Sequence, residues 1–199
     1  MTELWSIENE LYASGIKILC GVDEAGRGPL AGPVCAAAVI LPRNLEIKGL
    51  NDSKKLSEKQ REELFSVICE KAVSYGIAFA EVEEIEKLNI LEATFVAMNR
   101  AIKKLSAMPE LALIDGNRTK GIEVPARAIV KGDGKCADIA AASILAKVTR
   151  DRYMHEMAER YPQYHFEKHK GYGTKLHYEA LREYGPSPIH RMSFLRKMH

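Results

Sequence analysis

No two of the four cysteines, Cys20, Cys35, Cys69 and Cys136, form a C-x-x-C pair. That spacing excludes a zinc knuckle and a disulfide framework, and makes free, mostly buried thiols the expectation. No stretch of the 199 residues approaches a membrane span of about 20 apolar residues. The opening Met1-Thr2-Glu3-Leu4-Trp5 carries an acid and no basic leader, so a cytoplasmic location without a membrane partner is expected. There is no G-x-x-x-x-G-K-[ST] phosphate loop. Gly26-x-Gly28-x-x-x-Gly32 misses the dinucleotide fingerprint by one residue and leads into a strand, which argues against a nucleotide cofactor. EF-hand spacing and internal repeats are absent as well.

What is present suits one sizeable core: 46% of residues are hydrophobic and 28% charged, in a chain within the usual domain range of about 100 to 200 residues. The net charge of +2 announces no partner by itself, but it is unevenly spread. From Tyr161 to His199, Lys168, Lys170, Lys175, Arg182, Arg191, Arg196 and Lys197 face only Glu167, Glu179 and Glu183. Five of the six histidines lie there too, so the positive potential of this part should grow as pH falls toward about 6.5. A solvated charged face and a phosphate-binding surface explain the tail equally well on composition.

Apolar periodicity predicts strands over Ile16–Asp23, Val34–Leu41 and Tyr75–Val82, then two ending at Asp115 and near Lys131. Ser57 with Gln60, and Asn89 with Glu92, are capping patterns that open helices. A long helix over about Asp138–Tyr161 begins almost wholly apolar, and a last one covers Thr174–Tyr184 before Gly185-Pro186. Strands interrupted by helices indicate an α/β sheet with covered faces, whose ligands collect at strand carboxyl ends.

Three of those ends carry acids: Asp23-Glu24, Asp115 and Asp133. Two unit charges about 4 Å apart repel by roughly 4 kcal/mol at an effective dielectric near 20, so gathering four carboxylates calls for a cation. An all-oxygen set favours Mg²⁺ or Mn²⁺ over zinc, and a pair of such ions suits phosphodiester hydrolysis. Strand alternation sends Asp23 and Glu24 to opposite faces, so sharing one site requires a turn just after Asp23, which Gly26 and Gly28 permit. Arg27 between them can offer backbone amides and a guanidinium to a phosphate or sugar. Asp133 is equally suited to cap the following helix.

Asp23-Glu24-Ala25-Gly26-Arg27-Gly28-Pro29, Asn51-Asp52-Ser53-Lys54-Lys55-Leu56, Ile114-Asp115-Gly116-Asn117, Val130-Lys131-Gly132-Asp133, Ala140-Ala141-Ala142-Ser143-Ile144-Leu145-Ala146-Lys147 and His169-Lys170-Gly171-Tyr172 together resemble bacterial ribonuclease HII, of the type 2 ribonuclease H family. The resemblance runs in order from about Ile16 to Phe194. Ribonuclease HIII, with its added N-terminal substrate-binding domain, and ribonuclease HI, without the first block, fit less well.

The resemblance implies a ribonuclease H-like fold: a central mixed five-stranded sheet flanked by helices, with a C-terminal helical extension. It implies one catalytic domain over 1–199, in which about 161–199 forms a basic substrate-binding part, and a monomer. The implied activity is a type 2 ribonuclease H, EC 3.1.26.4, acting on RNA in RNA-DNA hybrids and 5′ of single ribonucleotides in duplex DNA, leaving 3′-hydroxyl and 5′-phosphate ends. It makes Asp23, Glu24, Asp115 and Asp133 the ligands of Mg²⁺ or Mn²⁺, two ions in the substrate-bound state. Gly26, Arg27 and Gly28 become the sensor of the 2′-hydroxyl. Tyr172 becomes the residue packing on the following deoxyribose, and Lys54 a phosphate contact. Lys147, Arg150 and His169 each admit a structural as well as a functional reading. A four-acid exonuclease and a binding module are the competing functions.

Overall fold

A computed structural model describes residues 3–51, 53 and 56–196. Five strands, β1 (Leu19–Ala25), β2 (Val34–Ile40), β3 (Ser74–Ala80), β4 (Leu111–Asp115) and β5 (Ala126–Ile129), form one sheet in the order β3-β2-β1-β4-β5. β1 pairs antiparallel with β2 and parallel with β4, and β4 runs parallel to β5, so the sheet is mixed as expected. The helices are α1 (Ser6–Ala13), α2 (Glu58–Lys71), α3 (Val82–Leu88), α4 (Ile90–Lys103), α5 (Ala137–Arg160), α6 (Phe166–His169), α7 (Lys175–Tyr184) and α8 (Met192–Leu195).

Alternation along β1 and β2 divides the core. Cys20, Val22, Ala36 and Ala38 pack with Phe95 and Met98 of α4, whereas Ala37 and Val39 share the opposite cluster with Ala140, Ala141 and Ile144 of α5. β2 is buried along its whole length, as its continuous apolar run predicts. The apolar first half of α5 lies against β1 so closely that a Cβ on Gly21 would fall 2.1 Å from the Asp138 carbonyl carbon. Only glycine permits that approach.

The caps form as read. Ser57 and Gln60 make a reciprocal capping box for α2, and the Asn89 carboxamide accepts from the amides of Leu91 and Glu92. Helices α1, α3, α6 and α8 were not foreseen, all being eight residues or fewer. α3 has its own box, in which Glu81 takes the place of the usual Ser/Thr at the N-cap and Glu84 is the usual acid at N3.

α1 ties the N-terminal segment to the base of α5. The Trp5 indole donates to the Leu45 carbonyl at 3.0 Å. Glu8 and Asp138, both fully buried, are joined by the Asp138 amide donating to Glu8 Oε1 at 3.3 Å, while Leu41 donates to Asp138 Oδ1 at 2.9 Å. Glu8 Oε2 and Asp138 Oδ2 have no hydrogen-bond partner among the described residues. Burial raises the Glu8 carboxyl to about 7, and burial together with Glu8 lifts Asp138 well above the usual carboxylate range.

In the C-terminal part, Leu30 and Ala31 pack with Met154, Tyr164, Phe166 and Leu181. Three of its histidines are interior. His169 and His177 stack at 4.5 Å, and the His177 and His190 Nε2 atoms meet at 2.9 Å. Burial lowers all three, His177 and His190 to about 4. The expected growth of positive charge near pH 6.5 is therefore corrected for these positions, because their desolvated rings stay neutral there. Arg191 is interior too, whereas Lys168, Lys175, Arg182 and Arg196 reach solvent.

Candidate active site

The registers bring the acids to one end of the sheet. Val22 pairs with Ile114, so Asp23 follows at the level of Asp115, and Asp115 pairs with Ile129. Lys131, at φ 57°, then turns the chain into a short 3-10 segment, Gly132–Gly134, that carries Asp133. The Gly132 amide donates to Asp115 Oδ1 at 2.6 Å, joining two of the strand ends.

The expected turn just after Asp23 does not occur, since β1 continues to Ala25 beside Cys35. Opposite faces are kept instead. Glu24 lines a cavity on the α4 side with Thr94, Phe95 and Asp115, and a neighbouring cavity of about 290 Å³ reaches Asp23, Glu24 and Asp115 together with Ser143 and Lys147 of α5. The site wraps the end of the sheet, where both faces are reachable.

The second cavity is also lined by Gly26, Arg27, Gly28 and Tyr172. Seven of the nine residues expected to act thus meet there. Asp133 is buried just beyond the lining, within electrostatic reach of Asp23, and Lys54 lies outside the described residues. Because Cys136 occupies the N-cap position of α5, Asp133 precedes the cap rather than filling it. Ser53 and Ser143 were missed. A single hydroxyl directly after the Ala140–Ala142 run was the available signal for Ser143, whose Oγ donates to the Ala140 carbonyl.

Asp23 is 5% exposed and accepts the Glu24 amide at 2.7 Å. Burial, then the charges of Glu24 and Asp115, and more weakly Asp133, push its carboxyl well above the usual range against that hydrogen bond. Glu24 pairs with Arg27 at 3.3 Å. As these side chains stand, no three His, Cys, Asp or Glu among the described residues converge as a closed metal cage. The donor chemistry nevertheless fits a hard divalent cation: carboxylate oxygens only, around an Asp23 whose ionisation its neighbours oppose.

Lys147 is held by Asp151 at 2.6 Å. Arg150 is 1% exposed and donates to the carbonyls of Ala31, Pro33 and Lys170, each at 3.0 Å, so it serves the fold rather than a phosphate directly. His169 accepts the Gly171 amide at Nδ1 and meets the Tyr164 carbonyl at 2.8 Å through Nε2, so both ring nitrogens are engaged and its reading is structural. Gly26 has φ +99°, and a Cβ there would lie 1.9 Å from Arg150 Nε. Gly28 differs, for its added Cβ would meet only the Tyr172 ring, at 3.5 Å.

Residues 20–197 match the family model for ribonuclease HII. The ribonuclease HII of Endomicrobium trichonymphae is 55% identical over 194 residues, covering 97% of this chain and 92% of that protein. Among solved structures, ribonuclease H2 from Pyrococcus horikoshii superposes with a TM-score of 0.76 at 30% identity, over 92% of this chain and 97% of the other. The ribonuclease HII of Archaeoglobus fulgidus, solved in complex with PCNA, gives 0.70 at 26% identity, over 89% and 93%.

Proposed function

The chain belongs to the ribonuclease HII family, and from that premise we propose that it is an endonuclease that hydrolyses RNA paired to DNA and cuts 5′ of a single ribonucleotide within duplex DNA, leaving 3′-hydroxyl and 5′-phosphate ends. The observation that carries the reading is the meeting, around one cavity, of an acidic sheet end with the Gly26-Arg27-Gly28 loop and Tyr172. Acids alone suit many phosphodiesterases. A glycine loop and an aromatic ring lining the same cavity add a means of choosing the nucleotide.

Asp23, Glu24, Asp115 and Asp133 would hold Mg²⁺ or Mn²⁺, two ions once substrate is bound. Such ions supply an activated water and stabilise the charge developing on the leaving 3′-oxygen. The protein's own groups orient the substrate. Gly28 leaves room for a ribose to approach the backbone, where the 2′-hydroxyl distinguishes RNA from DNA. Tyr172, 46% exposed, offers its ring to the adjoining sugar. Arg27 reaches phosphate from the rim while restraining Glu24. Within the same catalytic domain the C-terminal part supplies Lys168, Lys175, Arg182 and Arg196 for more distant phosphates, and Lys54 is proposed as a further phosphate contact. The protein acts as a monomer in the cytoplasm, in replication and in ribonucleotide removal from DNA.

The test is a covalently closed duplex circle bearing one ribonucleotide, incubated with Mg²⁺ or Mn²⁺ beside an all-DNA circle. Nicking of the first alone, 5′ of the ribonucleotide, is expected. Nicking of both removes the sugar sensor, and nicking of neither removes the endonuclease reading.

A further inference from the structure

Arg191 is completely buried and 165 residues from Gly26 in sequence, yet its guanidinium gathers the recognition loop. It donates to the carbonyls of Gly26 at 2.6 Å, Arg27 at 3.0 Å, Pro29 at 2.9 Å and Gly32 at 2.8 Å. Arg150 continues the set through Ala31, Pro33 and Lys170, and the Leu30 amide donates to the Gly171 carbonyl at 2.8 Å. The loop before Tyr172 and the loop of Gly26 to Gly28 are thereby fastened to each other.

Peptide geometry gives the clamp a direction. A trans peptide points its C=O and N–H opposite ways, and no cis peptide occurs among the described residues. With the Gly26 and Arg27 carbonyls drawn inward to Arg191, the amides of Arg27 and Gly28 must face outward, and neither donates a hydrogen bond within the described residues. Two adjacent amides turned the same way form an anion-attracting concavity. No carboxylate of the described residues forms an ion pair with either buried guanidinium, so their charge adds to that attraction.

We propose that Arg191, supported by Arg150, is a positioning residue for substrate selection: it holds the loop by its carbonyls so that the Arg27 and Gly28 amides meet a ribose oxygen of the nucleic-acid backbone. The idea rests on the ribonucleotide-cutting reading above and adds the device that sets its selectivity. Lysine keeps the charge but lacks the planar fork that serves several carbonyls at once.

The experiment compares Arg191→Lys with the parent protein, both carrying Asp115→Asn to prevent cutting, by measuring Kd in Mg²⁺ for a duplex with one ribonucleotide and for the all-DNA duplex. The all-DNA to ribonucleotide Kd ratio is expected to fall at least tenfold in Arg191→Lys. A role confined to folding would weaken both duplexes alike and leave the ratio in place, which overturns the proposal. If Arg191→Lys does not fold, Gly28→Ala carries the test from the outer side of the same loop: the ratio again falls if the amides are used, and an unchanged ratio overturns the proposal. The parent protein without Asp115→Asn separates the two ideas, since its failure to cut the ribonucleotide duplex strikes the nuclease reading, whereas cutting with an unchanged Arg191→Lys ratio strikes the clamp alone.

Discussion

Replacing Glu8 with glutamine should make the protein more stable, increasingly so as pH rises. The carboxyl is sealed between α1 and α5 beside Asp138, with one oxygen of each group lacking a hydrogen-bond partner among the described residues. Its value moves from 4.5 to about 7, with desolvation the largest cause. The folded state therefore binds this proton more tightly than the unfolded chain does. Stability from the group is complete below about 4.5, declines as pH rises, and is lost above about 7. At about 1.4 kcal/mol per tenfold change in proton affinity, the loss is about 3 kcal/mol. The glutamine side chain copies the protonated shape and has no proton to lose. Melting followed by circular dichroism should give Tm values for the two proteins that agree near pH 4.5 and differ by roughly 6 to 12 °C at pH 8.5, in favour of Glu8→Gln. An equal difference at both pH values would refute the reasoning, since only a packing change would then be left.

Asp23→Asn should abolish cutting while raising the metal-free Tm at pH 7, because it removes a buried charge opposed by Glu24, Asp115 and Asp133; an unchanged or lower Tm by calorimetry contradicts that account. The lowered values of His177 and His190 mean that their stability is present above about 6.5 and lost as pH falls toward about 4. Proton NMR should accordingly show the loop around Tyr172 loosening across that interval, and sharp unchanged signals at pH 4.5 would count against it. Gly26→Ala should destabilise by about 2 to 4 kcal/mol in urea melts through its clash with Arg150 and its φ of +99°, whereas Gly28→Ala should stay within about 0.5 kcal/mol of the parent. Equal effects of the two substitutions would refute the distinction between a glycine required by the fold and one left open to a ligand.

The strands were legible because their cores are uninterrupted apolar or alternating runs; Asp115 ends β4 directly, while Asp23 lies two residues inside the end of β1 and Asp133 four residues beyond the end of β5. Caps at Ser57 and Asn89 were legible for a local reason, since three or four adjacent residues complete the geometry. The supports of the site were not. Arg191 reads in sequence as one more cation of a basic tail, and only a contact spanning 165 residues turns it into a loop anchor. The histidines misled in the same way, because their burial depends on packing between α6, α7 and the segment before α8. Asp23 and Glu24 were expected to share one site through a turn after Asp23 that does not occur. What joins them is a cavity lined by both at the end of the central strand, a property of the assembled sheet that no single-strand periodicity contains.

The long sequence interval across the Arg191 clamp also has a consequence for the order of synthesis. Gly26 leaves the ribosome 165 residues before Arg191 does. β1 and β4, whose pairing brings Asp23 level with Asp115, both lie far upstream of Arg191, so when they have emerged the carbonyls of the Gly26 loop still lack their donor. A nascent or truncated chain ending before Arg191 would carry the acidic sheet end beside an unfastened loop, so the fastening of that loop is the later event.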